Sequence, residues 1–105
     1  MGELSNLKTC IELEVIDLGG TQVKGELADL KQCTKLREVW LYYTQVEGEL
    51  ADLKMWDKLR EVYLDNTKVK GELSDLTTLT HLEKASLGNT QVAGARNDPV
   101  GILSQ

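Results

Sequence analysis

Histidine occurs once in the 105 residues and cysteine twice, and 12 basic side chains face 17 acidic ones, for a net charge of −5. With His81 as the single imidazole, metal binding and general-base catalysis have little to build on. No phosphate-binding loop, zinc-ligand spacing or nucleophile elbow is present. A net negative surface repels phosphate backbones and anionic lipid, so neither nucleic acid nor membrane is an expected partner. No apolar run approaches the roughly 20 residues that cross a bilayer. MGELSN opens the chain without a basic segment followed by an apolar one, so no secretory leader is expected. Asn6 stands where an N-myristoylation signal wants Ser or Thr.

What the sequence does have is a stretch repeated nearly four times. GELSNLKTCIELEVIDLGGTQVK from Gly2 returns as GELADLKQCTKLREVWLYYTQVE from Gly25, GELADLKMWDKLREVYLDNTKVK from Gly48 and GELSDLTTLTHLEKASLGNTQVA from Gly71. A period between 20 and 50 residues means an array whose units cannot bury their apolar faces alone and must stack. The expected organisation is one domain over 1–93, with repeats at 2–24, 25–47, 48–70 and 71–93. Residues 94–105 follow as a degenerate tail or partial cap, because Arg96 and Pro99 fall where Leu73 and Leu76 stood one repeat earlier. Val100, Ile102 and Leu103 are the tail residues able to cover the last repeat.

Within the second copy the apolar residues Leu27, Leu30, Cys33, Leu36 and Val39 are spaced by three, and Leu41 follows after a step of two. A strict spacing of three loses about 60° per step around an α-helix, so one long amphipathic helix is excluded. Short 3-10 or irregular turns fit the threes, and a half-buried strand fits the closing two. Strands are expected at 15–18, 38–41, 61–64 and 84–87, and strands recurring once per coil in one direction form a parallel sheet along one side. Thr21, Thr44, Thr67 and Thr90 then share a column at the following bend, where they are expected to satisfy backbone groups. Gly25, Gly48, Gly71 and Gly94 share another, which points to positive φ or close backbone approach. Cys10 and Cys33 lie in one column with Trp56 and Leu79. That column asks for apolar residues, so two buried free thiols are expected rather than a bridge, in a reducing, cytoplasmic compartment.

The pattern LxxVxLxxTxVxGxLxxLxx from Leu36 onward resembles the leucine-rich-repeat family, and the resemblance extends from Gly2 to about Gly94. It implies a right-handed α/β solenoid of four coils, with a parallel sheet on the concave side and short 3-10 or irregular turns on the convex side. The V-x-G-x-L segment is similar to the plant-type subclass. That subclass has repeats one residue longer with a proline, where this chain has Ala28, Ala51 and Ser74. The threonine column stands in place of the family's ladder asparagine. The resemblance also implies a surface for binding other proteins. The residues themselves, with one histidine and no catalytic motif, lead to the expectation of no cofactor and no enzymatic activity.

Residues flanking the core pair of each strand face the concave side. Trp40, Tyr42 and Tyr63 would gather there, with Tyr43 at the turn and Glu38, Glu61 and Asp65 around them. Such a cluster has the composition of an interaction hot spot, and equally of aromatics stacking across strands for their own stability. The opposite side carries Glu3, Glu26, Glu49 and Glu72 beside Asp29, Asp52 and Asp75. Parallel columns do not converge on one point, so a solvated face is expected there and no metal site. At the first coil Leu4, Leu7, Leu13, Ile16 and Leu18 match the core pattern with no cap encoded before them. The expected function is therefore a non-catalytic interaction or structural module that self-associates through its uncapped end. The alternative is recognition of a different protein through the concave aromatic and acidic patch.

Overall fold

The structure is a computed structural model that describes residues 2–94. The steps of three become 3-10 turns at Leu4–Leu7, Leu27–Leu30, Leu50–Met55 and Leu73–Leu76. Each opens at a glutamate in extended conformation, and from the second turn onward an aspartate three residues on accepts that glutamate's backbone N–H. The distances are 2.9 Å for Glu26 to Asp29, 3.3 Å for Glu49 to Asp52 and 3.0 Å for Glu72 to Asp75. The aspartate column is thus a set of caps for turns too short to satisfy their own donors, as well as a charged surface.

The step of two becomes the strands β2 (Val15–Asp17), β4 (Glu38–Trp40), β6 (Glu61–Tyr63) and β8 (Lys84–Ser86), which pair in parallel in the order β2-β4-β6-β8. Partners lie one repeat apart, as in Ile16 with Val39 and Trp40 with Tyr63.

The expectation of a single sheet is incomplete. A second parallel sheet, β1-β3-β5-β7-β9, runs through β1 (Gly2–Glu3), β3 (Val23–Glu26), β5 (Gln45–Glu49), β7 (Lys68–Glu72) and β9 (Gln91–Ala93). Its signal was present as inward Val23, Gly25 and Leu27, an alternation of two that the glycine made resemble a turn. Glycine is required there for its conformation. Gly48 sits at φ +137°, and a Cβ on it would lie 3.1 Å from the backbone nitrogen of Leu27 in the coil before. The strand can therefore pass close under the preceding turn only where no side chain intervenes.

Between the sheets and turns lies one continuous core from Leu4 to Val92. The cysteine column holds its polar atoms inside that core by reaching one coil back. The Trp56 indole N–H donates to the Leu30 carbonyl at 3.1 Å, and the Cys33 thiol sits 3.5 Å from the Leu7 carbonyl. Cys10 departs from expectation: it is exposed, while Cys33 is buried, and both thiols are free. The column predicts an apolar position, but burial also needs a neighbouring coil to close over it. Arg96, Pro99, Val100, Ile102 and Leu103 fall outside the described residues.

The threonines work as expected. Thr44 donates its hydroxyl to the Leu41 carbonyl at 2.6 Å and accepts from the Val46 N–H at 3.5 Å, and Thr21, Thr67 and Thr90 make the same bond to Leu18, Leu64 and Leu87. Thr44 and Thr67 are buried, whereas Thr21 is open to water. Thr44→Val keeps the shape but leaves a buried carbonyl unpaired, and is expected to cost about 1–3 kcal/mol. Thr21→Val, where water replaces the lost partner, should cost clearly less. Urea denaturation of the two variants side by side checks the order.

Candidate partner-binding face

The four-stranded sheet presents three rows of side chains across its strands. The first row is Val15, Glu38, Glu61 and Lys84, and the second is Asp17, Trp40, Tyr63 and Ser86, each set in register by pairing. Just past the strand ends come Gly19, Tyr42, Asp65 and Gly88.

Trp40 and Tyr63 stack across β4 and β6, with ring centroids 4.1 Å apart and planes at 26°. Each ring is also held from its own strand. The Trp40 Nε1–H donates to Glu38 Oε1 at 3.2 Å, and the Tyr63 hydroxyl donates to Glu61 Oε1 at 2.7 Å. Both rings are half-buried. Stacking across strands thus accounts for part of what these aromatics do, but a surface fixed in advance also loses little side-chain freedom when something lands on it.

Asp65 belongs to the scaffold. Its Oδ2 accepts from the Ser86 hydroxyl at 2.6 Å and from the Gly88 N–H at 3.1 Å, which ties the last two coils together. Tyr42 lies over β2's end, where a Cβ on Gly19 would come within 2.3 Å of the ring's Cζ atom. The ring can lean that way only because position 19 has no side chain. Tyr43 meets Tyr42 edge to face at 6.4 Å and is 64% exposed.

Tyr43 also carries local strain. Its φ is +52°, in a column otherwise filled by Gly20, Asn66 and Asn89, all with positive φ. Glycine and asparagine tolerate that conformation, whereas for tyrosine it costs about 1–2 kcal/mol. An exposed aromatic kept at a strained position is an observation that folding alone does not explain.

The predicted patch of Glu38, Trp40, Glu61 and Tyr63 is therefore brought together, with Tyr42 and Tyr43 beside it and Asp65 turned to structural use. Of the predicted end residues, Leu4 and Ile16 are enclosed, and Leu7, Leu13 and Leu18 are half-exposed. Sequence reasoning missed Ile11 and Val15, which are 51% and 43% exposed at the same end. Neither fits the repeat's core pattern, and the signal that would have found them is an apolar residue where the other copies are polar, Thr34, Asp57 and Thr80 in one column and Glu38, Glu61 and Lys84 in the other. His81 is exposed, as its column of Glu12, Lys35 and Lys58 predicts. Cys33 is no candidate nucleophile, because burial and then the neighbouring Cys10 push its thiol pKa up. Among the described residues no group of three or more His, Cys, Asp or Glu side chains is placed to hold a metal.

The chain matches no family model and no curated protein. Its fold is shared with solved plant receptor structures. The leucine-rich-repeat ectodomain of the receptor kinase SOBIR1 from Arabidopsis thaliana superposes with a TM-score of 0.71 at 22% identity over 86% of this chain. The ectodomain of the receptor kinase GASSHO1/SCHENGEN3 from Arabidopsis thaliana, in complex with CASPARIAN STRIP INTEGRITY FACTOR 2, gives 0.73 at 24% over 87%. The PEPR1–AtPEP1 structure gives 0.72 at 25% over 87%. This chain spans 51%, 11% and 13% of those chains respectively. The cytoplasmic expectation is overturned by the first two of these neighbours, which are ectodomains of receptor kinases and so point to the extracellular side. Free thiols were a poor guide to compartment here, since Cys33 is retained as a core-filling residue.

Tyr63 provides a direct check on the site's electrostatics. Burial, then the hydrogen bond to Glu61 and the charges of Glu61, Glu38 and Asp65, push its pKa up to about 12. Because the folded value lies above the ordinary 10.0, the neutral ring's contribution to stability is fully present below pH 10 and is lost as pH rises through 12. Absorbance titration should show one tyrosine ionising last, and Glu61→Gln should bring that step down. Three tyrosines titrating together would contradict the geometry.

Proposed function

We propose that this chain, a leucine-rich-repeat protein, works by contact rather than catalysis, and that the four-stranded sheet recognises a protein or peptide partner. The observation that carries this reading is the Trp40–Tyr63 stack, oriented by Glu38 and Glu61 and half-open to solvent. Aromatic anchors with a polar rim are the usual centre of a binding energy hot spot. The strained, exposed Tyr43 gives it further support. One structure with this fold is described as a complex with CASPARIAN STRIP INTEGRITY FACTOR 2 and another as PEPR1–AtPEP1, which fits the same use.

A selection from a random peptide library on the wild-type protein tests the reading. Enriched peptides should lose most of their binding to Trp40→Ala and to Tyr43→Asn, with the urea midpoint of Tyr43→Asn no lower than that of wild type, because asparagine tolerates the left-handed conformation. Peptides that bind Trp40→Ala as well as wild type would place recognition elsewhere.

A second reading rests on the first coil. Leu7, Leu13 and Leu18 are half-exposed, whereas Leu30, Leu36 and Leu41 in the same columns are fully buried, and Ile11 and Val15 extend the apolar edge. That cross-section matches the one each inner coil presents to the next, so a coil from a second copy is the occupant it fits. Molar mass measured over a concentration series should rise above the monomer and fall back with Ile11→Glu. A strict monomer at high concentration overturns this reading.

A further inference from the structure

The sheet face is asymmetric about Trp40. One face of the indole is covered by Tyr63 on β6. On the other side, one strand away in register, stands Asp17 on β2. Tyr63 covers the indole from the β6 side with the planes at 26°, which leaves the other face on the β2 side, where Asp17 stands. Adjacent strands run about 4.8 Å apart, close to stacking distance, so a planar group on the uncovered face of Trp40 would lie in a slot above the short Asp17 side chain, as Tyr63 lies on the other face. Glu38, on the Trp40 N–H, flanks this space at the first row, and Tyr42 leans over Gly19 at the third.

The charges in the slot point one way. Asp17 is exposed, and among the described residues no basic side chain pairs with it. Glu38 uses one oxygen on the Trp40 N–H and keeps the other. Arg37, the nearest basic residue in sequence, is committed to Glu14 at 3.0 Å. The one lysine on these rows, Lys84, lies two strands further on, opposite Glu61. An aromatic face with carboxylates beside it favours a flat cation, which gains from the ring quadrupole and from ion pairing together.

We propose that the slot above Asp17, beside the uncovered face of Trp40, binds an arginine side chain of a basic segment in the partner protein, with the guanidinium stacked on Trp40 and paired with Asp17 and Glu38. This rests on the reading that the four-stranded sheet is the recognition face, and it names the chemistry recognised there. Asp17 is then the residue that sets specificity for a cation, although it lies outside the aromatic cluster. Arginine is preferred to lysine because its planar group stacks and hydrogen-bonds to a carboxylate at the same time.

The test measures binding of labelled hexa-arginine, hexa-lysine and hexa-glutamate by fluorescence anisotropy at several salt concentrations. Hexa-arginine should bind more tightly than hexa-lysine, weaken as salt rises, and lose about fivefold in affinity on Asp17→Asn and on Trp40→Ala. Glu26→Gln, which removes the same charge from the other sheet, is the control and should leave binding nearly unchanged. Equal losses from Asp17→Asn and Glu26→Gln would mean general attraction to an acidic protein and would overturn the slot. So would tighter binding of hexa-glutamate, or a fall in the protein's own molar mass on Asp17→Asn, which would make a second copy the occupant. Library peptides that need Trp40 but tolerate Asp17→Asn and carry no arginine would remove this proposal while leaving the recognition face standing.

Discussion

Every described strand of this protein finds its hydrogen-bond partner in another repeat, 21 or 23 residues away, and none in its own. A coil by itself has neither a closed sheet nor a buried core, so stability exists only between coils. That constraint dictates which positions must repeat. The positive-φ glycine in the second sheet and the leucine columns recur because they serve the contact with the coil before or after, and the threonine at the bend and the aspartate cap recur because they satisfy the bends and turns that carry the chain on to that contact. Positions outside that set are free to differ.

Divergence is therefore where recognition is to be sought. Across the second row of the sheet the copies carry Asp17, Trp40, Tyr63 and Ser86. The backbone beneath them is the same four times over, so the differences are not answers to different folding problems. Stacking of Trp40 on Tyr63 stabilises the sheet to some degree, yet two rings held by Glu38 and Glu61 also make a rigid surface beside a carboxylate that no described basic residue neutralises. Tyr43, kept at a left-handed position where the other copies have glycine or asparagine, follows the same logic.

Much of this was legible in the residues themselves. Spacing by three announced the short turns, the step of two announced the four-stranded sheet, and the threonine column announced its own hydrogen bonds. The second sheet was hidden because glycine at its centre imitates a turn, and only the approach of Leu27's backbone explains why glycine belongs in a strand. Cys10 was misplaced because a column reports what a position prefers, whereas burial depends on a neighbour closing over it. Asp17 gave no sign on its own. Its meaning comes from standing across a strand gap from an indole whose other face is taken, and from Gly19 letting Tyr42 lean in. Such facts belong to pairs of coils rather than to any one copy.

The central claim is that positions shared by the copies build the fold and positions where they differ bind the partner. It is tested most directly by Trp40→Ser with Tyr63→Ser, which carries the residue of the last strand, Ser86, into the two before it. Stability and hexa-arginine affinity are then measured on that one protein. The account predicts that the variant still unfolds in one cooperative step, at lower stability because the stacked pair and its partial burial are lost, and that it no longer binds hexa-arginine. Loss of the cooperative transition, or retained binding, would contradict it.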